Sequence, residues 1–189
     1  MDGIKYSNTL HLEKYKNWKG VLVEPSILNY EKCKKNRPVS SVYNYLCSSF
    51  ENSGKEMLFY DIGEMSFSKV EDSDLNYEEH LMRARKILSK YSLQEKKYPI
   101  KCIALTELLK KSGAPKLINF FSLDVEGAEY EVLSGLDFDK YLIQYLLVES
   151  RNTEKTTKFL KNYNYVLIAE LEETNLLFSH DSFNSDKKI

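Results

Sequence analysis

Apolar residues in this chain fall into short unbroken runs set between amphipathic stretches. Val21, Leu22 and Val23 form one run between Gly20 and Glu24. A continuous apolar run reads as a strand buried on both faces. Pro25 cannot donate to a sheet ladder, so the strand ends about there. The runs LINFFSLDVEG at 117–127 and QYLLVES at 144–150 read the same way, the former most strongly. Further extended segments are VSSVYNYLCSS at 39–49, KEMLFYDIG at 55–63 and IKCIAL at 100–105. Near the end come YVLIAE and NLLFS, with EET in the short link between them, a spacing that suits an antiparallel hairpin.

Helical periodicity fills the intervals. Residues 8–18 place Leu12, Tyr15 and Trp18 on one face, with Asn8 or Thr9 as cap. Residues 26–36 follow Ser26 as cap and turn Ile27, Tyr30 and Cys33 toward a sheet. A charged helix over 75–91 gathers Leu81, Ala84, Leu88 and Tyr91 on one side. Thr106 opens a helix that stops at Gly113, AEYEVLSGL ends on Gly135 as a C-cap, and a last helix spans 154–162.

Strands alternating with helices predict an α/β protein with a mostly parallel sheet. In that sheet 21–24, 117–124 and 144–150 are central, and the C-terminal hairpin forms an antiparallel edge. One domain over 1–189 suits the length. Residues 64–98, inserted between two core strands, are expected to cover the site, since such loops often carry function. The polar tail 181–189 is expected to fray.

Composition narrows the class. Lys plus Arg is 27 and Asp plus Glu is 28, so no basic excess points to nucleic acid. No apolar run approaches a membrane span of ~20 residues, and MDGIKYSNTL has no targeting character. The odd set Cys33, Cys47 and Cys102 lacks metal-type spacing and argues for free thiols in a reducing compartment. The reading is a cytoplasmic protein. His11, His80 and His180 are far apart, with no spacing that suggests a metal site.

Four blocks carry a resemblance: DGIKYSNT at 2–9, GVLVEPSILNYEKCKKNRP at 20–38, NYLCSS at 44–49 and INFFSLDVEGAEYEVLSGLDF at 118–138. In order and spacing they resemble the FkbM family of S-adenosylmethionine-dependent methyltransferases. The resemblance implies a class I, Rossmann-like three-layer sandwich with S-adenosylmethionine as cofactor. It implies methyl transfer to a hydroxyl of a sugar or other small metabolite. In such sheets ligands bind beyond the carboxyl ends of the strands.

Glu24 stands 21 positions after Gly3, near the ~20-residue interval at which an acidic residue meets ribose hydroxyls. The resemblance gives it that role here, with Pro25 beside it, against the plainer reading of a solvated carboxylate. Cys47 and Ser48 would neighbour the adenine, although Cys47 also fits a small buried hydrophobe. Gly3, Ser7 and Asn8 would lie at the cofactor's amino-acid end. For Ser7 and Asn8, helix capping is an equal alternative. Asp124 is the candidate catalytic residue. It could accept a proton from the acceptor hydroxyl, or orient the substrate or the cofactor's ammonium group. Glu126 and Glu129 fit the start of a helix, where acidic groups are favoured. Glu149 ends the next strand and reads as a rim carboxylate.

Family members open with a strand and a loop of the type acidic–x–Gly–Ala–Asn–x–Gly. Here only Met1-Asp2-Gly3 match the end of that loop. The first strand is therefore expected to be missing, with a vacant slot between the strands ending at Glu24 and Asp124. The same feature keeps a second function open: a non-catalytic, methyltransferase-like binding module. A nicotinamide dehydrogenase is disfavoured, because no G-x-G-x-x-G occurs.

Overall fold

The computed structural model describes residues 1–171 and 174–184. In chain order it runs α1 (Leu10–Lys16), β1 (Val21–Val23), α2 (Ile27–Asn36), β2 (Ser41–Tyr43), β3 (Leu46–Ser48), β4 (Glu56–Asp61), β5 (Phe67–Ser68), α3 (Tyr77–Lys90), β6 (Lys96–Ala104), α4 (Leu105–Ser112), β7 (Leu117–Leu123), α5 (Glu129–Leu133), β8 (Leu142–Glu149), α6 (Thr153–Lys161), β9 (Tyr165–Glu170) and β10 (Asn175–His180).

The architecture is mixed α/β, but the single, mostly parallel sheet expected from the sequence is not what forms. The strands make three sheets, β1-β2, β3-β6-β4-β5 and β7-β8-β10-β9. Three pairings are parallel and four antiparallel among the described residues. Two features cause this. The segment after β3 folds back, so that β4 pairs antiparallel with both β5 and β6. At the C-terminus β10 inserts between β8 and β9, antiparallel to each. The residues linking β9 to β10 at 172–173, and the tail from 185, lie outside the described residues, so the expected EET turn and much of the expected frayed tail do too.

The larger core belongs to the β7–β10 sheet. Ile143, Leu146, Val148, Leu176 and Phe178 are fully buried there against Val132, Leu133 and Leu160 of the flanking helices. A smaller cluster of Tyr60, Ile62, Phe67, Ala84 and Leu88 fixes α3 to β4 and β5. Its apolar face turns on His80, Ala84 and Leu88 rather than on Tyr91, which is exposed.

Local chemistry explains most boundaries. Ser26 caps α2, its hydroxyl accepting from Asn29 N–H, and Asn76 and Asn152 do the same for α3 and α6. Thr106 does not cap α4; its hydroxyl accepts from Asp137 N–H at 2.7 Å. Gly113 ends α4 in the left-handed region at φ 67°. β6 starts at Lys96, so it takes the last residues of the expected cover and carries Pro99 within it. Segment 64–75 lies nearer the site. Lys5 pairs with Glu64, Lys155 bonds Asp72 at 2.7 Å, and Gly127 packs on Ser73 and Leu75. At Gly127, with φ +89°, a Cβ would come within 2.7 Å of the Leu75 side chain.

Candidate functional site

β1 and β7 each have one hydrogen-bonded neighbour, β2 and β8 respectively. Both strands line a single cavity of about 490 Å³. Apolar side chains such as Val21, Val23, Leu109 and Phe121 form its depth. Glu24, Ser48 and Asp124 stand on its wall where β1, β3 and β7 end. Of the residues singled out from the sequence, Ser7, Asn8, Glu24, Pro25, Cys47, Ser48, Asp124 and Glu126 line it. Gly3 does not.

Glu24 is buried. One carboxylate oxygen accepts from Ser26 N–H at 2.8 Å, and the other pairs with the Met1 ammonium. Burial pushes that ammonium's pKa down, against the pull of nearby acidic groups that include Asp124 and Asp61. Asn44 donates to the carbonyl oxygens of both Glu24 and Pro25 at 2.9 Å, fixing the turn after β1. Ser26 Oγ donates to Asp61 at 2.8 Å, and Tyr98 Oη donates to the same carboxylate oxygen at 2.8 Å. Burial, then the Asp61 carboxylate, raises the Tyr98 pKa, so it stays a donor. Asp61 and Tyr98 were not legible as site neighbours. They sit on strands whose pairing brings them here.

The second carboxylate group forms where β7 and β8 end. Leu123 faces Val148 in a parallel register, so Asp124, just past β7, and Glu149, the last residue of β8, stand side by side. Asp124 is exposed along the cavity wall yet crowded by protein on its other sides. That crowding, then the charge of Glu126, pushes its pKa up. Glu149 is pushed up to about 7 by burial, then by Asp124 and Glu126. Arg151 opposes both shifts and donates to Glu126 at 2.7 Å. Glu126 occupies the left-handed region at φ 51°. Glu129 is buried and accepts from Gly127 N–H at 3.0 Å, a turn-forming role. This pair of neighbouring, differently solvated carboxylates can hold and pass a proton near neutral pH.

The raised Glu149 pKa carries a sign that can be checked. Folded Glu149 binds a proton more readily than the unfolded side chain, so its contribution is fully present below about pH 4.5 and is lost as pH rises through about 7. The melting temperature of the parent should therefore fall relative to that of Glu149→Gln between pH 5 and 8 in calorimetry. Parallel curves for the two proteins would show that Glu149 titrates normally.

On β3, the Cys47 thiol is pushed up to about 12 by burial and behaves as an apolar side chain. Ser48 Oγ donates to Glu131 at 2.6 Å, with Ser49 N–H at 3.0 Å and Asn52 Nδ2 at 2.8 Å on the same oxygen. Burial works against the charge of Glu131, but these hydrogen bonds outweigh it and lower the pKa. Ser48 is thus tied to α5 through a residue that the helical pattern had hidden among other acidic positions.

In the N-terminal segment, Ser7 Oγ accepts from Leu10 N–H at 3.2 Å and Thr9 N–H at 3.4 Å. Thr9 holds the N-cap position of α1 without a side-chain capping bond, and the Ser7 hydroxyl takes the amides at the helix start instead. Asn8 donates to Ser122 of β7 at 3.0 Å, linking this segment to the strand across the cavity. Gly3 has φ +79°, and a Cβ there would lie 2.8 Å from Cys33 Sγ and 2.9 Å from Arg37 Cγ. Close packing on α2 is what requires the glycine. Among the described residues, no group of His, Cys, Asp and Glu could hold a metal ion, and no helix is long and apolar enough to cross a membrane.

Acidic side chains at strand carboxyl ends, facing one cavity in an α/β protein, define a small-molecule binding site of the kind found in nucleotide- and cofactor-dependent enzymes. Comparison with known families makes this specific. The model of the methyltransferase FkbM domain matches residues 1–167. The chain belongs to the FkbM methyltransferase family. No curated protein and no solved structure gives a significant match.

Proposed function

We propose that this protein is an S-adenosylmethionine-dependent methyltransferase acting on a hydroxyl of a sugar or other small metabolite. The observation that carries the reading is the convergence of Glu24 and Asp124 on one cavity, inside a chain of this family. The cavity's volume is of the order that holds a small ligand, ~300–1,000 Å³. Glu24 suits the ribose hydroxyls: it is an acceptor-only group held rigid by Ser26.

When bound, S-adenosylmethionine supplies an electrophilic methyl group. The protein's own part is to align the acceptor and take its proton. Asp124 would hold the acceptor hydroxyl and take up its proton. Glu149 lies beside Asp124, donating a hydrogen bond to it while protonated and able to take a proton from it once ionised near neutrality. No nucleic acid or membrane partner enters this scheme.

Glu24→Ala should weaken S-adenosylmethionine binding by roughly 1–3 kcal/mol, the scale of hydrogen bonds to a charged group. Isothermal titration measures this, and an unchanged dissociation constant would remove Glu24 from the cofactor site. A second reading is a methyltransferase-like ligand-binding module without turnover. Saturable cofactor binding with no methyl transfer to any hydroxylated acceptor would select it.

A further inference from the structure

Arg37 is among the most deeply buried large side chains of the protein, at 1% exposure. A buried guanidinium is costly unless its donors are satisfied. Here they are. Nε donates to Glu13 at 2.7 Å, Nη1 to the Gly3 carbonyl at 3.2 Å and to Ser7 Oγ at 3.1 Å, and Nη2 to the carbonyl and hydroxyl of Thr9 at 3.4 and 3.3 Å. These five contacts equal the number of N–H donors on the group. Four of the five go to residues 3–9, the segment that carries Ser7 and Asn8 to the cavity. Glu13 is held in turn by Ser40 Oγ.

The Ser7 hydroxyl shows what this arrangement does. Its oxygen faces three N–H donors, from Arg37, Thr9 and Leu10. A hydroxyl has two lone pairs and one proton. With its acceptor side filled, the proton must point away from all three. No acceptor for it occurs among the hydrogen bonds of the described residues, and Ser7 lines the cavity.

We propose that Arg37 is a positioning residue that holds residues 3–9 in place and commits the Ser7 hydroxyl to donate into the cavity, toward an acceptor atom of the bound ligand. The inference rests on the cavity being the cofactor site, and it adds a residue that borders the cavity but whose N–H donors are all committed to protein acceptors.

The test uses Arg37→Lys, Ser7→Ala and the double variant in the full chain. Two readouts are needed: amide exchange over residues 3–10, and the dissociation constant for S-adenosylmethionine. Arg37→Lys should speed exchange of the Thr9 and Leu10 amides at least ~10-fold and leave β8 and β10 protected, because local opening is separable from global unfolding. Each single variant should weaken binding about 10-fold, and the double variant no more than either, because Arg37 acts through Ser7. Effects that multiply, or parent-like exchange at Thr9 and Leu10, would overturn the assignment. A parent that binds no S-adenosylmethionine would sink the cofactor reading, and the exchange arm would then decide Arg37 alone. Should Arg37→Lys fail to fold, Glu13→Gln loosens Arg37 without removing it. The same local exchange is expected there, and its absence overturns the proposal.

Discussion

Gly135→Ala should lower the melting temperature by about 6–12 °C. The reason is a backbone contact. A Cβ at this position would lie 2.2 Å from the Ser48 carbonyl oxygen, 3.2 Å from its carbon and 3.3 Å from Ala104 Cα. None of these is a flexible side-chain end, so strand β3 and the start of α4 would have to separate from α5. Overpacking costs ~1–3 kcal/mol, occasionally more, and a clash with backbone on two elements belongs at the upper end. For a chain of this size each kcal/mol shifts the melting temperature by roughly 2–4 °C. Ser48 also donates to Glu131, so the displacement reaches the cavity wall. A melting temperature within about 2 °C of the parent would show that the approach of Gly135 to β3 is looser than described.

Asp124→Asn should reduce turnover by roughly 10²–10⁴-fold, the contribution typical of a positioned general base. The substitution keeps the size of the side chain and removes its capacity to take a proton. Asp124 faces the cavity at the end of β7, and Glu24, assigned to the cofactor, stands on the wall at the end of β1. Cofactor affinity should therefore change by less than about 3-fold, well under the ~1.4 kcal/mol that a tenfold loss represents. Release of S-adenosylhomocysteine over a panel of sugar acceptors measures the first quantity, and titration the second. Lost affinity with unchanged turnover at saturation would reassign Asp124 to the cofactor.

The strands and helices were legible because their signals are local. The apolar triplet before Glu24-Pro25, the run ending at Leu123 and the Ser26 cap each lie within a few residues of one another. The antiparallel pairing of β9 with β10 was legible because it is local, but how the other strands pair was not, since it depends on segments far apart in the chain. Nothing near 56–61 or 96–104 signals that β4 and β6 run antiparallel and join β3 into a separate sheet. That pairing is also what brings Asp61 and Tyr98 together on Ser26. Gly135 reads as a helix C-cap by position, yet what demands glycine is the carbonyl of a residue 87 positions earlier. Arg37 was hidden for a related reason. An Arg-Pro pair after a basic helix end reads as solvated charge, and only the fold shows five acceptors converging on it. The acidic residues at strand ends were the exception, because Glu24 and Asp124 directly follow the apolar runs of β1 and β7 and are read from them.

The sole tryptophan, Trp18, lines the cavity, so ligand entry can be followed without a label. The most direct test of the account is titration of S-adenosylmethionine into the folded 189-residue protein, by heat and by Trp18 fluorescence, alongside Glu24→Ala. The account predicts one saturable site with a dissociation constant in the range of about 1 μM to 1 mM, where enzymes commonly meet their substrates, and a clear loss of affinity in the variant. Absence of binding to protein shown to be folded, or equal binding by the two proteins, would contradict it.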